Sequence, residues 1–181
     1  MSVIPPALAY FKDPTEILAM IEPYMEQVKP ICTPIESLLA AWFIAYAAHM
    51  IGLFSSALAT GAVDNVDPRK AKSEAAAKKG IFGYMTAFAM SAHNNRLEGF
   101  ALYAPAVVLC IMMKVEENLL AKLCTLYIVT SAAYVAVYVV QAFFPKLLSA
   151  PVSIVRTVIW FSNTIIACVL IKLAASEKTK E

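Results

Sequence analysis

The residues best suited to chemistry sit where an apolar chain should have none. Ser91-Ala92-His93-Asn94-Asn95-Arg96-Leu97-Glu98 interrupts a long hydrophobic run. On a helix, Ser91, Asn94, Asn95 and Glu98 fall within an arc of about 100°, while His93 and Arg96 point elsewhere. That face offers amides and a carboxylate to a polar ligand or to another helix. A second stripe, Tyr127, Thr130, Ser131, Tyr134, Tyr138 and Gln141, spans roughly 100° of a later run and presents phenolic donors from an apolar wall. Arg156 lies about a turn and a half inside a further run, with Trp160 and Asn163 on its face. His49 and Tyr46 sit near the middle of the first run. An ionisable group at membrane depth costs about 2.5–3.5 kcal/mol on insertion scales and faces a cavity or another helix. Together these groups are expected to line one polar pocket between helices. Plainer roles compete with that reading. Polar side chains also glue helices, at about 0.6 kcal/mol per hydrogen bond. Glu98 with Arg156 serves a scaffold as readily as a ligand site, and His49 reads as structural.

The elements that carry these residues follow from composition. The chain has 181 residues, 60% hydrophobic and 15% charged, against about 25% charged in a soluble domain. Its 15 basic and 13 acidic residues give a net charge of +2, too balanced for a nucleic-acid footprint, so nucleic acid is dropped as a partner. Segments 35–62, 81–113, 119–144 and 151–174 are each long enough to cross a bilayer, which takes about 20 apolar residues. Each must be helical, since an open strand leaves backbone groups unpaired in hydrocarbon. The expected architecture is an all-α membrane protein, a bundle of four transmembrane helices in up-down order, because short turns make sequential helices antiparallel neighbours. Its integral domain covers residues 34–176, after an extension at 1–33 and before a polar tail at 177–181. The connection from Val63 to Gly80 reads as a long charged loop.

In the extension, Asp13, Pro14 and Glu16 resemble a helix start, followed by an apolar stripe from Ile17 to Val28. Cys32, Cys110, Cys124 and Cys168 show no CxxC spacing, so neither a disulfide framework nor a metal site follows. Arg69, Lys70, Lys72, Lys78 and Lys79 crowd the first loop. By the positive-inside rule they favour a cytoplasmic first loop, with both termini non-cytoplasmic.

The run Ala92-His93-Asn94-Asn95-Arg96-Leu97-Glu98, followed by an apolar stretch with Pro105, resembles the second-helix signature of the MAPEG family, the membrane-associated proteins in eicosanoid and glutathione metabolism. That signature reads approximately R-A-H-x-N-x-x-E. Ala92, His93, Asn95 and Glu98 are kept, and Ser91 stands at the usual arginine. Asn65-Val66-Asp67-Pro68-Arg69 looks like the polar loop before that helix, Tyr134 and Tyr138 like paired aromatics of the third, and Arg156-Thr157 with Trp160 like the start of the fourth. The resemblance implies a homotrimer with glutathione as co-substrate bound between subunits. It implies that Asn95 and Glu98, with Asn94 beside them, grip the tripeptide's polar ends, that Tyr134 and Tyr138 line its wall, and that Arg156 and Thr157 sit near the sulfur. Arg156 is then the catalytic cation. A thiol of pKa about 8.5 is mostly protonated at neutral pH, and a nearby guanidinium favours the thiolate. The implied activity is a glutathione-dependent transferase or peroxidase acting on lipophilic electrophiles or lipid hydroperoxides from the bilayer.

Departures from the signature support an alternative. Ser91, Asn94 and Ser131 occupy positions where family enzymes usually carry arginine, and carboxylates want bidentate guanidinium partners. Arg96, turned toward a neighbouring subunit, and Lys146 are the remaining candidates beside Arg156. The alternative is a non-catalytic lipid-binding or accessory protein on the same fold. Transport ranks lower, since neither inverted repeats nor broken helices are visible.

Overall fold

The computed structural model describes residues 23, 25–63, 66–144 and 149–178. Its helices are α1 (Pro34–Thr60), α2 (Pro68–Ala77), α3 (Ile81–Met112), α4 (Glu117–Phe143) and α5 (Ser149–Lys178). All but α2 are long and apolar enough to cross a membrane. The helix expected from Asp13 lies outside the described residues, as does the third connection, 145–148.

The helix ends obey local chemistry. Thr33 caps α1 in a capping box: its hydroxyl accepts from the Glu36 amide, and the Glu36 carboxylate accepts from the Thr33 amide at 2.8 Å. Pro34 occupies the first turn, where no donor is lost. Gly61 closes the helix at φ 79°, a left-handed backbone that suits glycine. The first loop is more ordered than the sequence reading expects. Asp67 accepts from the Lys70 amide at 3.1 Å and Pro68 follows it, so residues after the cap form α2. The α3–α4 turn ends in a Schellman motif, with Val115 N–H donating to the Cys110 carbonyl at 3.0 Å and Lys114 to that of Ile111 at 3.1 Å. Here the left-handed position holds Lys114, at φ 56°.

The packing inverts the pattern of a soluble protein. On α1 the inward face is Ser37, Ala41, Ala45, Ala48, Gly52, Ser55 and Ser56, whereas Leu39, Phe43, Phe54 and Leu58 face outward. Lipid is as apolar as leucine, so large side chains gain nothing by turning inward, and small ones let backbones approach. A Cβ on Gly52 would meet that of Ala89 at 3.6 Å. Helices α3 and α4 form the centre, each packed on the other and on both α1 and α5, and α2 lies across α1 and α3. The half of the core away from α2 joins Tyr103, Val107 and Cys110 of α3 to Leu120, Leu123, Cys124 and Tyr127 of α4 and Leu170 of α5. The Tyr103 and Tyr127 rings stack at 3.6 Å, and the Tyr103 and Ser37 hydroxyls lie 2.6 Å apart. The smaller half, Ala48, Ala92, Tyr134 and Tyr138, floors the candidate site.

Candidate functional site

Helices α3, α4 and α5 converge on an open cavity of about 260 Å³ lined by Asn95, Glu98, Tyr134, Tyr138, Arg156, Thr157 and Trp160. Asn95 is its hub: the amide nitrogen donates to the Tyr134 hydroxyl at 2.7 Å and to that of Tyr138 at 3.2 Å. Tyr134 in turn donates to Tyr138 at 3.3 Å. Tyr138 therefore accepts twice, and its own proton is the one left to give to a ligand. Both rings are nearly buried, so their positions are fixed by packing.

Each tyrosine carries a guanidinium on its face. Arg156 from α5 lies 4.4 Å from the centre of the Tyr138 ring, and Arg96 from α3 lies 4.2 Å from that of Tyr134. Arg156 reaches the cavity half-buried, and its Nε is buried without a hydrogen-bond partner. No ion pair joins it to Glu98, although both line the same wall. The arrangement leaves a cation and a carboxylate available to a polar ligand. The Thr157 hydroxyl is spent on the Ser153 carbonyl of its own helix at 2.9 Å.

Arg96 is the residue the sequence reading placed elsewhere. It is 3% exposed and donates to Ser131 at 3.1 Å. Turned with its oxygen toward Arg96, the Asn163 amide accepts from Nη1 at 2.6 Å and donates to the Tyr127 carbonyl and to Thr130; the reverse orientation sets its oxygen against acceptors alone. Arg96 thus belongs to the interior of its own subunit and braces Tyr134 from behind. The signal in the sequence was Ser131, a small polar residue one turn before Tyr134, which leaves room for a guanidinium.

Asn94 does not join the other six expected site residues. Consecutive helical residues diverge by about 100°, so when Asn95 faces α4, Asn94 faces a second cavity of about 350 Å³ with His49, Arg69, Lys72, Met90, His93 and Leu97. His49 goes there too, so the expected single pocket is two. Ser91 is exposed, its hydroxyl given to the Ala87 carbonyl at 3.0 Å.

Four spanning helices and a polar cluster led by Asn95 and Glu98 meet a family profile that covers most of the chain, residues 37–176. The chain belongs to the MAPEG family. With its four apolar helices it is a multi-pass integral membrane protein. No curated protein and no solved structure matches the chain. Of the signature positions retained from the MAPEG second helix, Asn95 and Glu98 line the first cavity, His93 lines the second and Ala92 packs beneath Tyr134 and Tyr138.

Proposed function

We propose that this MAPEG protein is a glutathione-dependent transferase or peroxidase acting on lipophilic substrates that enter from the bilayer. The observation that carries the reading is the convergence of Asn95, Glu98, Tyr134, Tyr138, Arg156 and Thr157, from three helices, on one cavity. The orphaned Nε of Arg156 fits an anionic group, and the free proton of Tyr138 fits a thiolate or a leaving oxygen. In this reading Glu98 and Asn95 hold the polar ends of the tripeptide, Tyr134 and Tyr138 form its wall, and Arg156 beside the sulfur favours its thiolate. The thiolate attacks an electrophilic carbon, forming a C–S bond as the leaving group departs with its electron pair. At about 260 Å³ the cavity is smaller than the ~300–1,000 Å³ of an enclosing ligand pocket. A neighbouring copy in a homotrimer completes the wall, with the first loop on the cytoplasmic side. Calorimetric titration of the purified oligomer with glutathione, followed by conjugation of a model aryl halide, tests the reading. Absence of both glutathione binding and turnover overturns it.

One observation favours a second reading, lipid binding without catalysis. Arg156 is the one guanidinium on the cavity wall among the described residues, and the Ser91 and Ser131 hydroxyls are engaged within the subunit. That version requires a co-purifying apolar ligand in mass spectra and no thiol chemistry.

A further inference from the structure

Arg96 spends its charge on no acid. It is 3% exposed, and its hydrogen-bond partners are the Ser131 hydroxyl and the Asn163 amide oxygen, both neutral. Its Nε and Nη2 are buried without a partner, and no carboxylate among the described residues forms an ion pair with it. The side chain borders a narrow cavity of about 120 Å³ between α3 and α5, where Glu98 shares the wall without pairing. A guanidinium held this way weakens a fold, because an apolar side chain of similar volume fills the same space without the desolvation cost. Stability therefore does not account for Arg96, and what its field acts on does.

That field falls on the tyrosine pair. The guanidinium carbon lies 4.2 Å from the centre of the Tyr134 ring, and Tyr134 is the phenol that donates to Tyr138 at 3.3 Å. Asn95 holds both phenol oxygens from the other side, at 2.7 and 3.2 Å. The relay thus runs from Arg96 through Tyr134 to Tyr138 and ends on the one phenolic proton left for a ligand. A cation on a ring face interacts with the ring's charge, and linked hydrogen bonds polarise one another in a low dielectric. The Tyr138 ring carries its own cation, Arg156, at 4.4 Å. Negative charge that grows at the Tyr138 hydroxyl as it donates therefore meets two positive charges already in place. Arg96 is not on the wall of the first cavity, so it acts through the tyrosines and touches no ligand.

We propose that Arg96 is a positioning residue for the donor in the first cavity: it fixes Tyr134 and, through it, strengthens the hydrogen bond that Tyr138 gives to a bound thiolate or leaving oxygen. The inference rests on the thiol reading of that cavity and deepens it. Two cations then have different tasks, Arg156 acting on the sulfur and Arg96 on the donor. Every atom of the relay belongs to one subunit, so the role requires neither a neighbouring copy nor a particular depth in the bilayer.

The test uses the full-length protein in detergent. Arg96→Met keeps a long apolar side chain and removes the charge. Its kcat for conjugating glutathione to a model aryl halide falls about tenfold, a part of the ~10²–10⁴ that a positioned proton donor contributes, while KM for glutathione stays within about twofold. The unfolding midpoint does not fall with it, which separates the role from a structural one. Arg96→Lys, which keeps a cation near the ring, restores most of the rate. Where Arg96→Met folds poorly, Arg96→Met with Asn163→Leu replaces both partners by apolar groups and carries the same expectation. Leu123→Ala, in the other half of the core, lowers the midpoint and leaves kcat unchanged. A second arm needs no ligand: ultraviolet resonance Raman of each protein minus its Tyr138→Phe counterpart isolates the tyrosine doublet that reports hydrogen bonding. That doublet moves in Arg96→Met and returns in Arg96→Lys. An unchanged doublet, a wild-type kcat in Arg96→Met, or a lysine variant no better than the methionine one overturns the proposal. A wild type that neither binds glutathione nor turns over, with a doublet that still responds to Arg96, upholds the relay and overturns the thiol reading alone.

Discussion

Replacing Arg156 by glutamine should raise the pKa of a thiol bound in the α3–α4–α5 cavity while leaving the cavity in shape. Arg156 lies 4.4 Å from the centre of the Tyr138 ring. For a thiolate held ~5 Å from the guanidinium, two unit charges interact by about 3 kcal/mol at an effective dielectric of about 20. Arg156 is half-buried, and screening by water reduces that to roughly 1.5 kcal/mol. One pKa unit corresponds to about 1.36 kcal/mol, so Arg156 lowers the thiol by about one unit, from about 8.5 toward 7.5. The sign follows: the cation stabilises the thiolate, so its loss moves the pKa up and shifts the rising limb of the pH–rate profile to higher pH. The assay is ultraviolet absorbance of the thiolate in glutathione-loaded protein against pH, with conjugation rate measured in parallel. Saturation with glutathione must first be shown for the variant. A bound thiol that titrates at the same pH in Arg156→Gln as in the wild type refutes the electrostatic role.

Asn163→Leu removes the acceptor that Arg96 holds in the bundle; the stranded guanidinium costs about 1.5–3 kcal/mol, seen as a lower unfolding midpoint in detergent. Lys114→Gly relieves a side chain from φ 56° and should stabilise by about 1 kcal/mol, raising the same midpoint. Gly52→Ala meets Ala89 at an ordinary 3.6 Å and gains up to about 1 kcal/mol of helix propensity. Gly52→Leu overpacks the α1–α3 contact and costs about 1–3 kcal/mol; thermal unfolding of the two variants in opposite directions checks the pair.

The sequence by itself determined the number of spanning helices, their up-down order and the family. Those features depend on run length, local caps and a contiguous motif, and each is complete within its own segment: Thr33 with Glu36, Gly61, and Ala92 through Glu98. The residues around the first cavity were also legible, since Asn95 and Glu98 share a helical face and the Tyr134–Tyr138 spacing is one turn. Tertiary structure alone decided three things. It folded the charged first loop into α2 and brought Lys72 to His49, a contact set by how α2 lies across α1 and α3. It buried Arg96 against Ser131 and Asn163, because a polar side chain on a helix commits to a partner only when the neighbouring helix is placed. Finally, it divided the polar arc of α3 between two cavities. A helical wheel shows which residues share an arc of about 100°; the rotation of α3 between α1 and α4 sets where the boundary falls, with Asn94 on one side and Asn95 on the other.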